Sequence, residues 1–281
     1  MIPEPALAHL VVAPPVVTPL AARLWAASWV RKLVILATLA GAWELYARRL
    51  ANPLLLPTFS ATASALANAL QGGELVGRIA SSLRLLAVGY GGGVLLAGLF
   101  TMIAVGTRLG GDLLELLTAM LNPLPAVALL PLALLWFGLG TPSLAFVLVH
   151  AVLWPVALNA HAGFSGVSPT LRMVGRNYGL SGPAFVLRIL VPAAAPHLLS
   201  GLKVGWAFAW RTLIACELVF GVSSGRGGLG WYIYEKKNQL EMADVFAGLV
   251  TVVLIGLAVE NGVFRTIEER TVRRWGMRSA G

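Results

Sequence analysis

The sequence predicts an all-α membrane protein with about six transmembrane helices, and three observations carry that prediction. Hydrophobic residues make up 58% of the chain and charged residues only 12%, and the mean hydropathy is +0.80, outside the range of a soluble domain. Apolar runs of about 20 residues recur along it, each long enough to cross a hydrocarbon core of about 30 Å. Glycine (31 residues) and proline (16) occur even inside those runs, which membrane helices tolerate better than soluble ones.

Taken in order, residues 1–22 are rich in Pro and Ala without helical period, and Pro14, Pro15 and Pro19 break any span there. No short apolar core followed by a small-residue cleavage site is present, so no removable signal peptide is expected. This N-terminal arm extends to residue 32, and Arg23, Arg31 and Lys32 lead into a first span over 33–49. Asn52, Pro53 and Pro57 mark an external loop, and 58–71 is a short amphipathic segment placed on the outer surface. The second span, 81–105, carries Gly89-x3-Gly93, a small-xxx-small pattern that serves either packing within the chain or a subunit interface. Arg108, Asp112 and Glu115 then form a short internal loop. A third span over 116–138 contains Pro123, Pro125 and Pro131, which leave backbone carbonyls unpaired unless the helix borders protein or a wet cavity. The fourth span covers 143–163, the fifth 197–221 and the sixth 243–264, with a Gly-rich outer loop over 221–242. A basic tail over 265–281 follows the transmembrane domain of 33–264.

The net charge of +9 could suggest nucleic acid, but the bases are spread between spans rather than gathered on one face. With six spans and both ends cytoplasmic, 13 of the 21 lysines and arginines lie inside and seven outside, as the positive-inside rule favours. A single cysteine, Cys216, excludes an intrachain disulfide and a thiolate metal cluster. His150 and His161 could share a helix face, but no carboxylate is spaced to join them, so no metal site is expected. There is no G-x-x-x-x-G-K-[ST] motif and no catalytic set, so neither a P-loop nor an enzyme is read here. The Gly-rich GRGGLG at 225–230 follows no strand and reads as a loop that opens no phosphate-binding helix.

Two features remain after the spans are assigned. The stretch 171–192, LRMVGRNYGLSGPAFVLRILVP, is the long mid-chain segment that cannot sit in lipid, with Arg172, Arg176 and Arg188 punctuating it. Ser181, Gly182 and Pro183 are expected to split it into two short amphipathic helices. Such a basic helix–turn–helix gives a soluble partner something to push against, although a plain cytoplasmic loop would carry the same charges. The second feature is Arg211, deep in the fifth span, where a charge must face a cavity, a carboxylate or the bundle interior. Either it pairs with Glu44 or Glu217, or it is a positive element on an anion's path, with Trp206 and Trp210 walling a narrow cavity or simply packing.

Gly179, nine intervening residues and then Ile189-Leu190-Val191-Pro192 resemble the cytoplasmic loop of binding-protein-dependent ABC importer permeases, written E-A-A-x3-G-x9-I-x-L-P. Met173, Val174 and Gly175 stand where that pattern has Glu-Ala-Ala, and Val191 replaces Leu. WELYARRLANPLLLPTFS (43–60), SSLRLLAVGY (81–90), NPLPAVALLPLALLWFGLG (122–140), GLKVGWAFAWRTLIACELV (201–219) and GLGWYIYEKKNQLEMADVFAGL (228–249) extend the likeness over roughly 33–275. Together they look like the nitrate/sulfonate/taurine/bicarbonate type of ABC importer permease. The resemblance implies the type I permease fold with a cytoplasmic coupling helix, in a bacterial cytoplasmic (inner) membrane. It implies a homodimer, two cytoplasmic ATPase subunits that hold ATP and Mg2+, and an external solute-binding protein; no cofactor is expected on this chain. The coupling region would be 164–192, with Arg172, Met173, Gly175, Arg176, Gly179, Ile189 and Pro192 as its contact residues. Pro125, Trp206, Trp210, Arg211 and Glu217 are the candidate pathway residues. The implied solute is a small oxyanion, with a vitamin precursor as the alternative. A stand-alone secondary transporter or channel is the other class weighed, but its inverted repeats and paired intramembrane acids are not seen.

Overall fold

The computed structural model describes residues 27–220 and 227–273, and among these every regular element is helical. In chain order they are α1 (Ser28–Leu50), α2 (Phe59–Gln71), α3 (Glu74–Gly106), α4 (Arg108–Leu121), α5 (Leu130–Phe137), α6 (Thr141–Ser165), α7 (Pro169–Asn177), α8 (Val191–Phe220), α9 (Leu229–Asn238) and α10 (Met242–Ala258). Helix α10 continues through π-helical turns as far as Arg273, past the expected end at 264. Most of the N-terminal arm and the end of the basic tail lie outside the described residues. Among the described residues, three helices are long and apolar enough to cross a membrane: α3, α6 and the run Met242–Val272. A fourth joins them if α4 and α5 count as one bent span. Helices α1 and α8 occupy the first and fifth expected spans and have the length, 23 and 30 residues. Arg31, Lys32, Glu44, Arg48 and Arg49 in α1, and Lys203, Arg211 and Glu217 in α8, hold them outside that apolar set.

Helix α6 is the centre of the fold: 67% of its most apolar stretch is buried, against 28% in α3 and 22% in the α10 run. Small residues on its neighbours make that possible. A Cβ on Gly93 of α3 would stand 2.5 Å from Val152 Cβ, and one on Gly89 would collide with Leu148. On the other side, a Cβ on Gly205 of α8 would stand 2.8 Å from Val156 Cγ2. The Gly89-x3-Gly93 pattern therefore serves close packing within the chain, where dispersion between backbones substitutes for the hydrophobic drive that lipid removes. Leu33, Leu36, Leu95, Leu99, Val253 and Leu257 project outward from α1, α3 and α10. Exposed apolar surface on this scale suits hydrocarbon, not water.

The expected third span is broken. Helices α4 and the 126–137 segment meet at 88° across residues 122–125. Pro123 and Pro125 supply no N–H to continue α4, whereas Pro131 sits in the first turn of α5, where a missing donor leaves nothing unpaired. Arg108, Asp112 and Glu115, expected in a loop, lie on α4, which Thr107 caps by accepting from Gly110 N.

The Gly-rich outer loop also holds a helix, α9. It folds back on the bundle through Arg78, whose Nη2 lies 2.6 Å from Glu235 Oε2, and through Tyr232, which donates to Asp244 Oδ1 at 3.0 Å. Burial, reinforced by that Asp244 hydrogen bond, pushes the Tyr232 hydroxyl above its ordinary pKa. Residues 221–226 of the expected loop lie outside the described residues.

Candidate functional site

Helix α7 is built to stand at the base of α6. Ser168 caps it by accepting from Leu171 N, Pro169 occupies its first turn, and Gly179 at φ +72° ends it, with Leu180 N donating back to Gly175 O. The break thus falls over 178–181 rather than at Ser181-Gly182-Pro183. Pro183 instead falls in the first turn of the next helical segment, Gly182–Phe185. A π-helical turn over Val186–Leu190, with Val191 N bonded to Val186 O, then carries the chain into α8 just before Pro192. Helix α8 therefore begins six residues before the expected 197.

The coupling-region residues separate into two sets. Arg172 faces inward, its Nη2 donating to Phe164 O at 2.5 Å and its Nε to Val167 O at 3.2 Å, which adds a charged donor to a carbonyl that Val167 N already bonds and ties α7 to the end of α6. Gly175 is buried, and a Cβ there would stand 2.8 Å from Phe185 and 2.9 Å from Ile189. Ile189 and Pro192 line a cavity of about 570 Å3 between α7 and the root of α8, beside Leu171 and Arg188. Met173, Val174, Arg176 and Tyr178 face outward, and Tyr178 is 82% exposed. One face of α7 is locked to the bundle, and the other offers an apolar surface with one arginine.

The pathway candidates do not gather around Arg211. Trp206 and Trp210 stack at 6.1 Å; Trp210 is buried and donates to Val252 O at 3.3 Å, while Trp206 packs on Tyr90 and Phe264. Glu217 is buried at the junction of α3, α8 and α9, where it accepts from Ser82 Oγ at 2.8 Å and from Gly230 N at 2.9 Å. It thereby caps α9: the GRGGLG stretch does open a helix, and a carboxylate of this chain already occupies that helix's positive end. Glu44 is likewise engaged, with Arg48 at 2.7 Å and with the N–H and hydroxyl of Ser60. Neither carboxylate pairs with Arg211. Among the described residues, Arg211 has only Ala207 O, 2.9 Å from its Nε, and the Phe208 ring 5.2 Å from its guanidinium carbon. Pro125, in contrast, lines a cavity of about 150 Å3 at the α4–α5 break. His150, Trp154, Phe208 and Thr212 also line it; of these only His150 was named from the sequence, and as a residue without a metal partner rather than as a pathway residue. The available signal was His150 and Trp154, two nitrogen-bearing rings four apart in the most apolar part of α6.

Residues 89–273 match the sequence pattern of the binding-protein-dependent transport system inner membrane component family. This chain belongs to that family. It is an ABC importer permease, a transport subunit rather than an enzyme. Similar to this permease is a protein of Methanocaldococcus jannaschii described as an ABC transporter permease protein, 31% identical over 237 residues, or 81% of this chain and 85% of the relative. So is a nitrate import permease protein of Synechocystis sp., 29% identical over 65% of each chain. The taurine transport system permease protein of Escherichia coli is 29% identical over 63% of this permease and 64% of its own length. The family match begins inside α3, so α1 and α2 of this permease lie outside it.

Proposed function

We propose that this permease is the membrane subunit of an ATP-driven, binding-protein-dependent importer of a small oxyanion. The observation that carries this reading is the two-faced helix α7. Its outward face, Met173, Val174, Arg176 and Tyr178, suits a groove on a cytoplasmic ATPase, while Arg172 and Gly175 hold its inward face to α6 and to the segment entering α8. A push on α7 is passed directly to two long helices, so ATPase states that contact α7 differently bias the arrangement of the bundle. ATP and Mg2+ belong to that partner. An external binding protein delivers the solute, and a second copy of this chain completes the pathway.

In this reading six spans cross the membrane: α1, α3, the bent α4–α5 pair, α6, α8 and α10, with both termini cytoplasmic. At 1.5 Å per residue, α1 reaches about 35 Å and α8 about 45 Å, enough to cross. The charges of α1 cluster at its ends, Arg31 and Lys32 at one and Arg48 and Arg49 at the other, where they reach the interface. The solute class is supported by the relatives named for nitrate import and taurine transport.

Reconstitution in liposomes with an ATPase and a binding protein tests the proposal. Uptake of nitrate or taurine should require ATP, the binding protein and all three components together. Uptake by the permease alone, driven by an ion gradient, would establish the stand-alone transporter instead.

A further inference from the structure

Helix α8 shows one face to its surroundings. Among its described residues, those exposed are His197, Ser200, Val204, Phe208, Arg211 and Val219. A turn of about 100° per residue puts all of them on one stripe roughly 100° wide. From His197 to Val219 the stripe runs about 33 Å, slightly more than a hydrocarbon core of about 30 Å. The described residues leave it uncovered, yet it is not a lipid face. On α10 the exposed residues are Leu249, Val253, Leu254, Leu257 and Ala258, all apolar. On α8 the stripe mixes an imidazole, a hydroxyl and a guanidinium with its apolar side chains. Hydrocarbon solvates the first pattern but not the second, whereas water in a passage solvates both polar groups and charge.

Arg211 does not escape to the end of its helix. An arginine that merely tolerates lipid stretches toward the nearer interface, which for α8 lies at the Phe220 end. Instead its Nε donates to Ala207 O at 2.9 Å, and its guanidinium carbon stands 5.2 Å from the Phe208 ring centre. The side chain turns back toward the middle of α8. Its charge sits at the level of Phe208, about 25 Å from the start of the helix and about 18 Å from its end. A guanidinium has five N–H donors, and among the described residues Ala207 O takes one of them. Glu44 and Glu217, the acids expected to pair with it, are bonded elsewhere. The remaining donors and the charge face outward from the stripe.

We propose that Arg211 is the charge-selecting residue of the solute path: the α8 stripe is wet, and Arg211 draws an anion along it by offering its free donors to the anion's oxygens. The assignment deepens the importer reading and rests on it for the existence of a path, whose other wall is the second copy of the chain. A cationic vitamin precursor is repelled at this position. One exposed arginine also suits passage better than a closed cage of donors, since a transported ion must bind weakly enough to leave.

The test uses the importer reconstituted in liposomes, with Cys216→Ala removing the native, buried thiol and Arg211→Cys introducing one on the stripe. Sulfonatoethyl methanethiosulfonate, an anionic reagent that attacks ionised thiols in water, should modify Arg211→Cys at least roughly tenfold faster than Leu95→Cys on α3 or Val253→Cys on α10, read by intact mass. Uptake of nitrate or taurine, whichever the importer carries, should fall about tenfold in Arg211→Cys and Arg211→Gln and stay near wild type in Arg211→Lys. Aminoethyl methanethiosulfonate, which returns a positive charge to the cysteine, should restore uptake, and the sulfonate reagent should not. Melting temperatures should stay at the wild-type value, because Arg211 is exposed. Labelling no faster than at the two lipid-facing controls overturns the proposal, and so does uptake indifferent to the charge at this position. A lowered melting temperature without rescue by the amine reagent assigns Arg211 to structure and overturns it as well. Failure of the importer reading looks different: the wild type then takes up solute without ATP or the binding protein, or takes up none. In the first case the same charge series is read on that uptake, and in the second the labelling contrast alone decides.

Discussion

Arg172→Ala should uncouple ATP hydrolysis from transport while leaving the permease inserted and assembled. The side chain makes two hydrogen bonds from a charged donor, to Phe164 O and to Val167 O. Charge-assisted hydrogen bonds contribute about 1.5–3 kcal/mol each when buried. Arg172 is only half-buried, so solvent discounts the pair to a total of about 1–2 kcal/mol. That corresponds to roughly a tenfold shift between docked and undocked α7. The contact of Gly175 with Phe185 and Ile189 remains, so α7 loosens rather than detaches. Two measurements check this. Hydrogen exchange over 169–177 should accelerate about tenfold, in line with that free energy, while the amides of α6 around Val152 stay protected. The ratio of solute taken up to ATP hydrolysed should fall in reconstituted complexes. Arg172→Lys, which keeps the charge but loses the fork that spans two carbonyls, should fall between wild type and alanine. Arg176→Ala provides the contrast: it is exposed on the outward face, so it should weaken ATPase association without changing exchange in α7. Unchanged exchange and an unchanged uptake-to-ATP ratio in Arg172→Ala would refute the claim that α7 is held to α6 through this residue.

Three further outcomes follow from the packing. Glu217→Ala leaves Gly230 N and the Ser82 hydroxyl without their buried acceptor, at about 2–4 kcal/mol in all, and should lower the melting temperature markedly; Glu217→Gln, which keeps one acceptor, should lower it less. Gly93→Leu places a side chain against Val152 Cβ, 2.5 Å from the ideal Cβ position, and should prevent stable folding of the chain itself, whereas only dimer formation would suffer if this face were a subunit interface. Cysteines introduced at Ser165, at the end of α6, and at Asn238, at the end of α9, should react with an impermeant maleimide from opposite sides of the membrane; labelling from one side would exclude the six-span topology.

The positions of the long helices were legible because lipid imposes a simple rule, some 20 apolar residues per crossing, and α3, α6 and α10 obey it. Helices α4 and α9 were not legible because they are mixed in character and border protein, so no such rule reports them. Glycine misled for a related reason. Gly179 and Gly230 look alike in a sequence, yet Gly179 has φ +72° with no atom within 4 Å of its Cβ position, while a Cβ on Gly230 would stand 2.6 Å from Ile214 O. One glycine supplies a turn and the other admits a neighbouring helix; only the second requires tertiary structure to recognise. Proline had the same ambiguity, since Pro123 follows the end of α4, whereas Pro125 precedes the helical turn Ala126–Leu129 and Pro131 sits in the first turn of α5.

Arg211 shows where a sound rule needs geometry to complete it. That a charge within a span requires compensation directed attention to Glu44 and Glu217 as partners. Both carboxylates are consumed nearer home, by Arg48 and Ser60 in one case and by Ser82 and Gly230 in the other. Among the described residues, Arg211 has one carbonyl of its own helix, Ala207 O, and one aromatic ring, Phe208. Arg211 is exposed on α8, so its long side chain can find compensation beyond its own helix; the rule that a charge needs compensation does not say from which direction it comes.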